Sequence, residues 1–159
     1  MGQFPSLNQE DVEEIDESLT ELLAKSEAHL ALLVEKAGYL IHQCGKPAAL
    51  DTTTFATLGS NAYNAVQFMA SLVNENNFSS MYQQGEHFST LMVNVEENSL
   101  LVIIFPTHLT VGSMKYYAAP AARRVAERIQ FATERGDGIG LDLSDLDAEN
   151  VPALFAKKR

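Results

Sequence analysis

Hydrophobic residues recur at helical spacing in three stretches of the chain, at residues 8–27, 52–74 and 111–135. Asn8 and Asp51 stand immediately before the first two stretches, where their side chains can cap the free N–H groups of a helix. Pro120 lies inside the third stretch and removes one backbone donor. We therefore predict three helices, the last of them kinked or broken at Pro120.

The segments between these helices contain short apolar runs that predict five strands. Two runs, at residues 29–36 and 39–44, flank Ala37-Gly38 and predict a hairpin with a tight turn. Three more runs follow the second helix, at residues 79–86, 87–96 and 99–106. The last run is apolar throughout, which predicts a strand in the middle of the sheet with helices on both sides.

This order of elements, α-β-β-α-β-β-β-α, indicates an α+β fold built on one five-stranded antiparallel sheet. The second helix connects the hairpin to the last three strands, so it must cross one face of the sheet. The first helix is rich in Asp and Glu and the third in Lys and Arg. We expect these two helices to lie side by side on the opposite face, because their charges are complementary.

The charge of the chain narrows the classes of partner. A formal net charge of −10, with 11 Lys and Arg against 21 Asp and Glu, argues against binding to nucleic acids or anionic membranes. No apolar run is long enough to span a bilayer, and the N-terminus lacks the order of a secretory signal. A single cysteine, Cys44, excludes an internal disulfide and fits a reducing compartment. We expect a cytoplasmic protein.

Residues able to perform chemistry are few and scattered. The four histidines fall in separate predicted elements and show no zinc-binding spacing, so we predict no metal site and no cofactor; they are His29, His42, His87 and His108. Cys44 is most simply a small buried hydrophobic residue, although a histidine distant in sequence could lie near it in space. No phosphate-binding loop of the common nucleotide-binding type is present. We therefore predict a protein without an active site of its own.

The second predicted helix has an unusual distribution of apolar residues. They form a stripe centred on Leu58, Ala62 and Met69, which marks the side expected to pack on the sheet. Phe68 lies roughly 110° from that centre, beside polar residues. An isolated aromatic ring at such a position often only covers the edge of a sheet. Because this helix also carries many small residues that allow close approach of another backbone, we interpret it as a protein-binding surface.

Several motifs, taken in order, are similar to those of one known family. "DTTTFATL" opens the second helix, "NENNF" ends it, "LLVIIF" forms the apolar strand, and "SDLDAENVPALF" lies near the end of the chain. Gly38, Gly85 and Gly112 complete the pattern. The chain thus resembles the roadblock family (dynein light-chain type), in particular its MglB-like bacterial members, over nearly its whole length. It departs from that group at Asn64 and Phe68, where the group has smaller side chains.

The resemblance implies a sheet with one helix on one face and two on the other, and a homodimer formed through the second helices. It assigns the dimer interface to Phe55, Gly59, Ala62, Val66 and Met69. It also implies a platform for a Ras-like small GTPase of the MglA type, made of Asn61, Asn64, Ala65 and Phe68. Such a dimer accelerates GTP hydrolysis by positioning the catalytic residues of the GTPase itself, in the control of cell polarity and motility, and can localise to a cell pole.

The resemblance further divides the chain into a roadblock domain, residues 1–135, and a flexible C-terminal tail, residues 136–159, with a short helical segment. Val151, Leu154 and Phe155 of this tail are expected to form a second contact with the GTPase, and the resemblance implies that this contact promotes nucleotide exchange. Two alternatives remain at this point. The chain could be a scaffold that binds a GTPase or assembles a complex without activation, or a small-molecule sensor with a polar cavity beside its sheet.

Overall fold

The computed structural model describes residues 2–138, which form three helices and five strands. In chain order these are α1 Gln9–Ser26, β1 Leu30–Glu35, β2 Leu40–Gly45, α2 Thr52–Leu72, β3 Ser80–Gln84, β4 Phe88–Glu96, β5 Ser99–Pro106 and α3 Val111–Gly138. Asn8 caps α1 and Asp51 caps α2, as predicted, each by accepting a hydrogen bond from a backbone N–H three residues later. The predicted order of elements is therefore confirmed.

The strands form one antiparallel sheet in the order β2-β1-β5-β4-β3. β5, apolar on both sides, occupies the middle of the sheet, as its composition predicts. The β1–β2 hairpin turns at Gly38, whose φ of 110° suits a residue without a side chain. The edge strands are β2 and β3, and both are partly exposed.

Alternate residues of β1 show how the sheet separates two apolar layers. Ala31 and Leu33 point into a cluster with α1 and α3, whereas Leu32 and Val34 point into a smaller cluster with α2. The α+β fold with one helix on one face and two on the other is thus confirmed. None of the helices in residues 2–138 has the length and hydrophobicity that a bilayer span requires.

Charged side chains join α1 to α3 across their contact. Asp11 is fully buried, and its carboxylate accepts hydrogen bonds from Arg128 Nε at 2.7 Å and Arg135 Nη2 at 2.5 Å. Nearer to solvent, Arg124 Nη1 lies 2.5 Å from Glu21 Oε2. The predicted pairing of an acidic first helix with a basic third helix is confirmed.

α3 departs from the prediction at two places. It continues through Pro120 as one helix, so the predicted break does not occur, while the alternative of a kink at Pro120 stays a prediction. Pro120 is exposed and so is Tyr116, whose carbonyl loses its helical donor, and water can satisfy that carbonyl. The helix also runs to Gly138, three residues into the segment predicted to be a loop.

Candidate functional site

The side of α2 that packs on the sheet consists mainly of small residues around one tyrosine, namely Ala56, Gly59, Ser60, Tyr63 and Ala70. A Cβ atom added at Gly59 would lie 3.1 Å from the terminal methyl carbon of Met92 in β4. Small residues therefore let the helix axis come close to the sheet. Tyr63 fills the remaining space and is buried in the cluster beneath α2.

The expectation that the stripe through Leu58, Ala62 and Met69 packs on the sheet is wrong. The side chains of Leu58 and Met69 are 63% and 57% exposed. At 100° per residue they lie roughly 200° and 220° around the helix from the buried Ala56. The stripe thus faces away from the sheet, because the small residues on the other side fit the sheet more closely.

We call this exposed side the α2 outward surface, and define it by Leu58, Asn61, Asn64, Ala65, Phe68, Met69 and Leu72. Phe68 and Leu72 are each 71% exposed. No Asp, Glu, Lys or Arg occurs between Thr52 and Leu72. A helix that is apolar on both sides normally has both sides covered, so this surface has the character of a protein interface.

All four residues predicted to form the GTPase platform lie on the α2 outward surface. Asn61, Asn64, Ala65 and Phe68 are each exposed. The structure thus brings them together on one flank of the helix, which is the arrangement that a contiguous contact surface needs.

The residues predicted to form the dimer interface differ in exposure. Phe55, Ala62 and Val66 are half-buried along the other flank of α2, and Met69 is exposed. Gly59 is buried against the chain's own Met92 and presents no surface to a partner. Gly59 is therefore withdrawn from the predicted interface, since its small size serves the contact with the sheet.

Two exposed apolar side chains were not predicted from the sequence. Leu58 was expected to pack on the sheet, and Leu72 was not considered. The signal that could have identified them is the absence of charge along α2. A surface helix with one buried side normally carries charged residues on the other.

Polar side chains fix the C-terminal half of α2 to the loop that follows it. Gln67 makes two hydrogen bonds with the backbone of Phe78: its Nε2 donates to the carbonyl at 2.8 Å, and its Oε1 accepts from the N–H at 3.0 Å. The hydroxyl of Tyr63 donates to the same carbonyl at 3.1 Å. These bonds set the rotation of the helix about its axis and therefore which residues face outward.

Asn64 connects the α2 outward surface to the two hairpin turns at one end of the sheet. Its Nδ2 donates to the carbonyl of Lys36 at 3.0 Å. The ammonium group of Lys36 in turn donates to Asn94 Oδ1 at 2.6 Å and to the carbonyls of Glu96 and Glu97. Burial lowers the pKa of Lys36, while the nearby Glu96 and Glu97 carboxylates oppose that shift.

A second polar cluster lies on the other side of the sheet, between α1 and β2. The carboxylate Oδ1 of Asp16 is 2.7 Å from His42 Nε2 and 3.1 Å from Cys44 Sγ. Burial is the first cause that raises the pKa of Cys44 to about 12, so at neutral pH it is a thiol and not a nucleophile. The hydrogen bond with His42 lowers the pKa of Asp16. Local sequence spacing did not reveal this cluster, because its members are 26 and 28 residues apart.

A cavity of about 360 Å³ lies beside the sheet, under residues 46–50. Its walls are mainly apolar and include Leu50, Phe55, Phe88 and Ile104. A sensor for a small polar molecule needs convergent polar groups, and this cavity has few. This cavity therefore does not support the sensor alternative.

Comparison with solved structures finds the same fold in MglB proteins. A structure described as MglB with tetrameric arrangement has a TM-score of 0.77 at 27% identity, covering 83% of this chain and 99% of that one. Gliding protein MglB from Thermus thermophilus has a TM-score of 0.75 at 26% identity, covering 82% and 98%. MglB of Myxococcus xanthus has a TM-score of 0.74 at 25% identity, covering 80% and 96%.

No curated protein matches the sequence significantly. The sequence model of the Roadblock/LC7 domain matches residues 14–105, which extend from α1 to the end of β5 and include all of α2. This match spans more than half of the chain and agrees with the fold. The chain therefore belongs to the Roadblock/LC7 domain family.

Proposed function

We propose that this protein is a homodimeric regulator of a Ras-like small GTPase of the MglA type, acting in the control of cell polarity or motility. It would accelerate GTP hydrolysis by positioning residues of the GTPase. The observation that carries the proposal is the uncharged, apolar α2 outward surface. The similarity to MglB structures over about four fifths of the chain supports it.

A second copy of the chain is the occupant that best fits the apolar part of this surface. Leu58 and Met69 lie at one edge of this surface, and the small, half-buried side chain of Ala62 next to them leaves room for another helix. Burial of exposed apolar side chains contributes roughly 25 cal/mol for each Å² removed from water, which favours pairing. The proposed dimer interface is therefore Phe55, Leu58, Ala62, Val66, Met69 and Leu72.

Two paired α2 helices would place both copies of the platform on one continuous surface. Asn61 and Asn64 offer amide groups for hydrogen bonds, and Phe68 offers an aromatic contact of the kind common at interface centres. Positioning of reacting groups alone supplies a large share of catalysis in phosphoryl transfer. Because α2 contains no arginine, the proposed mechanism inserts no arginine from this surface.

The second proposed contact involves the C-terminal tail. Val151, Leu154 and Phe155 lie outside the described residues, so this part of the proposal rests on the sequence resemblance. Deletion of residues 141–159 tests it separately. Unaltered affinity and unaltered nucleotide exchange would reject a role for the tail.

The alternative is a scaffold that binds the GTPase without changing hydrolysis. One observation favours it: α1 carries an acidic outer surface that includes Glu13 and Glu14. The resemblance to MglB-like members leads us to expect basic residues in this region instead. A GTPase surface that matches the group's basic residues would be repelled here. The two proposals differ in the rate of phosphate release and not in binding.

The test combines the protein with a Ras-like GTPase of the MglA type and measures phosphate release. We expect faster release with the native chain and loss of that effect in Phe68→Arg. Tyr116→Arg is the matched control, because Tyr116 is 74% exposed but lies on α3, on the other side of the sheet. Binding with unchanged hydrolysis would support the scaffold. An equal loss in both variants would reject the α2 outward surface as the contact.

A further inference from the structure

Three metal-ligating side chains converge between α1 and the edge strand β2. His42 and Cys44 are two residues apart, so both point from β2 toward α1, where Asp16 meets them. Their ligand atoms all lie within 4.8 Å of one another. One carboxylate oxygen, one imidazole nitrogen and one thiol sulfur thus face a common point.

We propose that Asp16, His42 and Cys44 form a binding site for a thiophilic divalent transition-metal ion, with Zn²⁺ as the preferred occupant. Zn²⁺ is bound in proteins by Cys, His and Asp side chains, and this cluster offers one of each. Mg²⁺ and Ca²⁺ prefer oxygen ligands alone, so the sulfur and nitrogen disfavour them. If Zn²⁺ binds here, the prediction that the chain holds no metal is wrong.

The distances allow an ion to enter with small side-chain movements. In a tetrahedral zinc site, typical bond lengths place ligand oxygen and nitrogen about 3.4 Å apart, and oxygen and sulfur about 3.6 Å apart. The corresponding distances here are 2.7 Å from Asp16 to His42 and 3.1 Å from Asp16 to Cys44. Both would lengthen by less than about 1 Å. Asp16, whose side chain is 53% exposed, has the freedom to move.

The surroundings of the cluster also suit a cation. Thr20 Oγ1 donates to Cys44 Sγ at 3.8 Å, and this bond would stabilise a thiolate. Asp16 and His42 line an open cleft on α1 whose other walls include Glu13 and Glu17. Their negative charge raises the local concentration of cations at the entrance. Coordination would replace the proton of Cys44, which passes to the buffer, and solvent would supply the fourth ligand.

Co²⁺ is the probe for the test, because its bond to a thiolate gives a charge-transfer absorption band in the near ultraviolet. Titration of the full chain with Co²⁺ should produce this band at one ion per chain, and Zn²⁺ should displace the Co²⁺ and abolish it. Cys44 is the only cysteine, so the band reports this site alone. In parallel, Zn²⁺ should raise the thermal unfolding temperature of the chain, because it binds the folded state.

Substitutions separate this site from weak binding to surface acids. Cys44→Ser should abolish the band, and His42→Ala and Asp16→Asn should each weaken Co²⁺ binding by more than about tenfold, the lower bound for loss of even an outer-shell partner. His87→Ala is the control, because His87 is exposed and lies between β3 and β4, which β1 and β5 separate from β2. Circular dichroism checks that each variant is folded. Absence of the band in the native chain, or equal affinity in all variants, would overturn the proposal.

Discussion

Helices α1 and α3 cover one face of the sheet with paired charges, whereas α2 covers the other face without a charged residue. In the α1–α3 layer the buried Asp11 is held by Arg128 and Arg135, so each helix has its partner within the chain. In the α2 layer Leu58, on the side away from the sheet, is 63% exposed. The charged contact between α1 and α3 is made within one subunit, whereas α2 exposes apolar side chains that no other part of residues 2–138 covers.

This difference indicates where specificity lies in the molecule. Charge pairs fix the arrangement of α1 and α3, and the apolar side chains that this layer does expose, such as Tyr116 and Phe131, lie on a helix that also carries charged residues. The α2 outward surface, by contrast, has no charged side chain and offers uncharged area for contact with a partner. Both sides of the sheet bury apolar side chains that stabilise the fold, and the α2 side adds an exposed surface suited to binding.

The largest expected effect on stability tests the buried charged contact between α1 and α3. Asp11→Asn keeps the shape but removes the charge that holds two arginines, and should lower the free energy of unfolding by about 3–5 kcal/mol, as when a buried ion pair loses one partner. Urea unfolding measures this change. Glu21→Gln is the matched control, because it neutralises an exposed ion pair between the same helices. The comparison fails if the two substitutions have equal effects.

A smaller effect on the same layer should appear in acid. The side-chain hydrogen bond from Arg135 is the main cause that lowers the pKa of Asp11 from 3.8 to about 2. Since the folded pKa is below the unfolded one, this stabilisation is complete above the unfolded value and is lost as pH falls through the folded value. Urea unfolding measured between about pH 5 and pH 2 should show the loss. The same measurements on Asp11→Asn should show no loss of stability from this group. An identical pH dependence of stability in both proteins would contradict the role given to Asp11.

The smallest effect on folding is expected from substitutions on the α2 outward surface. Two methionines, one exposed and one buried, allow the comparison. Met69, 57% exposed, lies on the outer side of α2, and Met92, 2% exposed, lies beneath the helix. Met92→Ala should cost about 2–5 kcal/mol of unfolding free energy. Met69→Ala should stay within about 0.5 kcal/mol for the dilute subunit.

Sedimentation of the same two variants completes the comparison. Met69→Ala should weaken self-association while leaving the fold intact, because it removes apolar contact area only from the proposed interface. A native chain that sediments as a single subunit at working concentrations would remove the basis of the proposed dimer. A large folding defect in Met69→Ala would show that the surface belongs to the subunit's own core.

Local patterns were sufficient to predict the elements and the sheet. Asn8 and Asp51 indicated where helices begin, and the apolar run of β5 indicated a central strand. These signals depend on interactions within a few residues, which sequence displays directly. The complementary charges of α1 and α3 extended the prediction to one contact between distant segments.

The orientation of α2 could not be read in the same way. Periodicity locates an apolar stripe, but α2 is apolar on two sides. The side with Ala56 and Gly59 packs on the sheet, and the side with Leu58 and Met69 is exposed. Which side packs depends on how closely the helix approaches Met92, a contact 33 residues away along the chain. The cluster of Asp16, His42 and Cys44 was missed for a similar reason, since only the pairing of α1 with β2 brings it together.

The bond from Asn64 to the Lys36 carbonyl gives the two ends of the proposed platform different adaptability. The amide of Asn64 is already immobilised before any partner arrives, so docking there loses little rotamer entropy. The ring of Phe68 stands free of such a tether at 71% exposure and can reorient to meet different shapes. Selection among related partners should therefore be strict at Asn64 and permissive at Phe68.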